Sequence, residues 1–188
     1  MKKLVSVLVA LALCLCTLAP VMAETTVEAF PYTLETYRMY FDLLATSMFE
    51  VAPVWTTSAD GTAATATVNG YGVVEMDINA AGQVTCFTTS LVANQNNAST
   101  VSNAFGQLIA LLALSSKTAE DITFLTEENI NQFTNELLGL LNELLGRMEE
   151  ALGDTLVVSG EAGGNTCTFT MLLDVNTMTI NFGFMFQP

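Results

Sequence analysis

The 188-residue chain carries 19 acidic residues against five basic ones and contains no histidine. A formal charge of −14 repels phosphate backbones and anionic headgroups, so binding to nucleic acid or to a membrane surface is disfavoured. The missing imidazole removes Ser-His-Asp and Cys-His catalysis and most transition-metal sites.

Residues 1–23 read as a secretory signal of bacterial appearance. Lys2 and Lys3 form the positive start, residues 4–18 the apolar core, and Pro20 the break. Val21 and Ala23 then place small side chains at −3 and −1 of a cut before Glu24. The apolar core is shorter than the ~20 residues that span a bilayer. Cys14 and Cys16 are each preceded by leucine, where a lipid-attachment motif needs a small residue. Cleavage after Ala23 and release to the periplasm or medium are therefore expected, with no membrane association afterwards. The cut removes two of the five basic residues and none of the 19 acids, so the formal charge becomes −16. Residues 24–188 form one acidic domain on this reading, and its surface charge serves solubility.

Residues 33–50 carry Leu34, Tyr37, Phe41, Leu44 and Met48 at three- and four-residue steps, which predicts an amphipathic helix entered at Pro31 and Thr33. Arg38 and Asp42 sit one turn apart on its polar side. Strands are predicted over 54–58 and 62–68, joined at Asp60-Gly61. Residues 71–78 alternate, with Val74, Met76 and Ile78 opposite Glu75 and Asp77. A turn at Asn79 to Gly82 leads to a strand over 84–92, and residues 94–100 form a polar connector. The apolar run 101–114 suits a buried helix closed by Ser115 and Ser116. A short start at Thr118 precedes the longest expected helix, 126–152, with Ile130, Phe133, Leu137, Leu141, Leu144, Met148 and Leu152 facing inward.

The tail predicts a meander over 155–159, 166–173 and 177–186. Its last strand sets Met178, Ile180, Phe182, Phe184 and Phe186 against Thr177, Thr179, Asn181 and Gly183. A strand apolar on one face and polar on the other belongs to a sheet covered on one side. The fold expected is α+β, with about seven antiparallel strands and helices packed on one face. Residues 33–92 and 101–186 repeat a helix-then-strands order, a faint internal duplication. In that order alone they resemble the helix-plus-meander layout of secreted β-lactamase-inhibitor-type proteins. The two share no motif, and the resemblance implies a layout only.

The sequence contains no catalytic motif of high specificity. Cys86 and Cys167 lie in Thr-rich strands of an exported chain, so one disulfide between them is expected. Ser115-Ser116-Lys117 lacks the serine-x-x-lysine spacing, because position 114 is leucine. Asp77-Ile-Asn79 and Asp174-Val-Asn176 suit hairpin turns better than calcium loops. Asn97-Ala98-Ser99 matches a glycosylation triplet that arises often by chance. Glu75 and Asp77 share a strand face about 7 Å apart by strand geometry, near the spacing of paired glycosidase carboxylates. Tyr71 falls on the same face by the same alternation, and Trp55 is unplaced. The leading expectation is a non-enzymatic, exported binding or envelope-associated domain that needs no cofactor or metal and meets a protein or envelope component. A carboxylate hydrolase on Glu75 and Asp77 is the alternative. A self-associating structural protein, paired through an edge strand at 178–186, is the third reading.

Overall fold

The computed structural model describes residues 28–94 and 96–188; the signal expected over 1–23 lies outside them. Seven antiparallel strands form one sheet in the order β1-β2-β3-β4-β7-β6-β5. The strands are β1 (Val54–Thr57), β2 (Ala63–Val68), β3 (Gly72–Ile78), β4 (Val84–Asn94), β5 (Leu156–Ala162), β6 (Asn165–Asp174) and β7 (Thr179–Gln187). Three helices, α1 (Leu34–Phe49), α2 (Ala98–Glu120) and α3 (Glu127–Gly146), cover one face. The α+β class expected from the alternating strands is what the chain forms.

Helix α1 starts where Thr33 accepts a hydrogen bond from the Thr36 N–H, and it ends at Glu50 in the left-handed region. It buries Tyr37, Phe41 and Ala45, whereas Met48 faces solvent. The rings of Phe30, Tyr32, Tyr37, Phe87 and Phe186 pack in stacked and tilted pairs at centroid distances of 4.6–6.3 Å. Phe30 and Tyr32 join this cluster because the segment before α1 runs along the start of β4, where Phe30 N–H donates to Val84 O and Leu34 N–H to Gly82 O. The Tyr37 hydroxyl is buried with no hydrogen-bond partner among the described residues. Such a group costs about 1–3 kcal/mol.

Helix α2 departs from expectation. It runs unbroken through Ser115 and Ser116, and its 23 residues exceed the 20 of α3. The hydroxyls do not end it because each finds a partner without breaking the helix. Ser115 donates to Leu111 O at 2.6 Å and Thr118 to Leu114 O at 2.7 Å. Ser116 pairs with the Tyr32 hydroxyl. Lys117 is buried yet bonded to Glu120 and, at 2.8 Å, to Asn165. Helix α3 stops at Gly146, and a 3-10 turn (Met148–Ala151) follows. Met148 and Leu152, expected inside, are 41% and 55% exposed. No helix of the described residues is long and apolar enough to cross a membrane.

The last strand is not an edge. β7 pairs with β4 along 179–186 and with β6 along 179–187, so its backbone groups are already spent within the chain. β7 thus offers no open edge for the pairing between chains expected at 178–186, and the outer strands of the sheet are β1 and β5. The β5–β6 hairpin turns on Gly163 and Gly164, both at positive φ, the two-residue geometry that favours glycine.

Candidate functional site

Alternation sends every second side chain of the sheet to the face without helices. One register row crosses it from edge to edge: Thr56, Thr65, Glu75, Thr88, Met185, Thr168 and Ser159 are successive cross-strand partners. The next row includes Thr67, Val73, Gly183 and Thr170. Where the rows meet β7, Gly183 offers no side chain. A trough of about 390 Å³ opens there, with walls that include Val73, Glu75, Thr88, Ser90, Thr170 and Met185. A Cβ at Gly183 would lie 2.4 Å from Thr170 Oγ1, so the glycine is what lets the β6 hydroxyl lean over the floor.

Glu75 and Asp77 both project from β3 on this open face and are exposed. Of the two, Glu75 lines the trough, and it is the single carboxylate among the described residues that does. The aromatic partners expected beside them are elsewhere. Tyr71 precedes β3, whose alternation begins at Gly72, and its ring stacks on Phe49 at 4.0 Å. Trp55 packs edge-on to Phe41 at 5.6 Å, donates to Asp42 Oδ1 at 2.7 Å and lies under the Arg38 guanidinium at 5.2 Å. Both rings serve the α1 side and leave the trough without a sugar-stacking platform.

The expected disulfide is absent: Cys86 and Cys167 are free thiols. Asp77 pairs with Cys86 across β3–β4, which places that thiol on the open face. Cys167 pairs with Phe186 across β6–β7 and belongs to the core beneath the helices. The two therefore point to opposite faces with β7 between their strands, a geometry no S–S bond can span. Burial pushes the thiols up to about 11 for Cys86, helped by Asp77, and to about 12 for Cys167.

The remaining candidates have structural roles. Asn79 Oδ1 accepts from Ala81 N–H and Gln83 N–H, and Asp174 Oδ1 from Asn176 N–H and Thr177 N–H, so both close turns. Asn97 Oδ1 accepts from Asn94 N–H ahead of α2. The trough was foreshadowed by the Thr-rich strand faces, but its floor was not, because only the β6–β7 register shows what Gly183 lies beside. The chain matches no family model, no curated protein and no solved structure.

Proposed function

We propose that the chain is an exported, non-catalytic binding domain whose open sheet face holds an extended, basic stretch of a partner protein. The trough centred on Gly183 carries the reading, since it is a concave, hydroxyl-walled groove on the face the helices leave bare. Hydroxyls of Thr88, Ser90 and Thr170 serve main-chain groups of an extended segment, Val73 and Met185 supply apolar contact, and Glu75 offers a charge for lysine or arginine. Charge supports the choice. The three cations left after signal removal, Arg38, Lys117 and Arg147, each pair with an acid of the chain, so the approaching surface must supply the positive charge. A single lining carboxylate favours binding over carboxylate-pair hydrolysis, since the one aromatic of the lining, Phe184, is buried against Phe169 in the core and offers no face to a sugar.

A fluorescent hexapeptide alternating lysine and valine tests the reading by anisotropy. Saturable binding is expected to weaken about tenfold in Ser90→Arg, which fills the trough and adds repulsion, and severalfold in Glu75→Gln. Equal binding by wild type and Ser90→Arg would reduce the effect to attraction by a polyanion and overturn the assignment.

A further inference from the structure

On the opposite side of the molecule α2 and α3 do not close on one another. Between them lies a crevice of two adjoining lobes, about 140 and 150 Å³, floored by Phe169 of β6 and Phe182 of β7. Gly106 and Ile109 of α2 and Leu141 of α3 border both lobes. The only polar residues of the lining are Ser102 and Thr134.

Three observations show that the gap is built in. First, α3 is anchored to the β5–β6 hairpin. Leu140 sits over Gly160, where a Cβ would come within 2.6 Å of it, Phe133 packs on Gly163, and Glu136 Oε2 accepts the Gly163 N–H at 2.7 Å. These contacts hold the helix over the edge hairpin. Second, Gly106 lies in the interior of α2, where glycine lowers helix stability relative to alanine. A Cβ there would meet nothing within 4 Å, so no close packing demands the glycine, and its effect is to keep the crevice wide. Third, the crevice is free of charge. Residues 98–116 of α2 contain no ionisable side chain, and the sole acid of α3 between Glu128 and Glu143 is Glu136, which is bound to the hairpin.

We propose that this crevice is a second binding site, distinct from the open-face trough, that takes one aliphatic chain with an uncharged headgroup. The lining supplies dispersion and apolar burial and no charge to neutralise. An anionic headgroup is disfavoured, since Lys117 is tied to Glu120 and Asn165 and Arg147 to Glu143 and Glu150. Ser102 and Thr134 can hydrogen-bond a hydroxyl or ester. The lobes lie end to end between the helices, which suits a linear chain better than a fused ring system.

The neutral fluorophore N-phenyl-1-naphthylamine, displaced by monolauroylglycerol below its micellar concentration, tests the site. Saturable displacement at one chain per protein is expected, at least tenfold weaker with laurate. Gly106→Leu fills the crevice and improves helix propensity, so binding should fall at least tenfold with no loss of thermal stability. Gly139→Leu, on α3 but outside the lining, should bind within twofold of wild type. The proposal is overturned if the folded Gly106→Leu protein binds as wild type does, if both variants weaken alike, or if laurate binds equally well. No displacement overturns it too. So does a dimer in sedimentation that Gly106→Leu converts to monomer without any chain binding, which would make a second copy the occupant.

Discussion

Asp60 holds the first hairpin by three hydrogen bonds to one carboxylate oxygen, from Ser58 Oγ at 2.6 Å, Thr62 Oγ1 at 2.9 Å and Thr62 N–H at 3.2 Å. All three favour the ionised form, and they lower its pKa to about 2, with the Ser58 bond the largest cause. An unfolded aspartate titrates near 3.9. A depressed folded value means that this contribution is complete above the unfolded pKa and is lost as pH falls through about 2. The melting temperature of Asp60→Asn should therefore lie below that of wild type by a constant margin from about pH 7 to 5. The margin should narrow below about 4 and close near 2. A margin unchanged at low pH would mean that the carboxylate's charge has no part in the turn. The Asp-Gly dipeptide made this turn legible in the sequence. The Ser58 and Thr62 contributions were not, because they depend on a loop conformation that residue type alone leaves open.

At the scale of elements, strand alternation was readable wherever one face is buried, as in β3, where Val74, Met76 and Ile78 lie inside and Glu75 and Asp77 outside. What failed was anything that depends on which strands become neighbours. Cys86 and Cys167 sit in similar Thr-rich contexts, yet one more strand between them and opposite side-chain parity keep the sulfurs apart. In folded protein prepared without residues 1–23, a thiol reagent such as dithionitrobenzoate should react slowly with both, since burial disfavours each thiolate. Unfolding should release two reactive thiols per chain. A mass two hydrogens lighter than the reduced chain would contradict the strand order. Helix ends failed for a related reason: Ser115 resembles a terminator and Thr118 a new start until their hydroxyls are seen bonded to Leu111 and Leu114 one turn back.

Across the whole molecule, the fold class and the one-sided cover were legible, because a period of two with Thr on one face and Phe on the other has few solutions. The floor of the trough and the crevice were not legible, since both are made by missing atoms. Gly183 floors the trough and Gly106 opens the crevice, and in sequence each is only a glycine inside an element, which local rules score as a weakness. Charge is distributed to match, with acids over much of the surface and none on residues 98–116. Strand order has a kinetic consequence. Five of the six pairings join consecutive strands, and only β4 with β7 brings together residues as distant as Phe87 and Phe186. That encounter therefore carries the largest single loop-closure cost of the six, and it is expected to limit the folding rate. Leu91→Ala, on β4 opposite Phe182, should mainly slow refolding, whereas Trp55→Phe on the edge strand should mainly hasten unfolding. The reverse pattern in stopped-flow kinetics would place the nucleus in the outer hairpins. On this account the two meanders assemble early, and the chain becomes a single sheet only when its two longest separated partners meet.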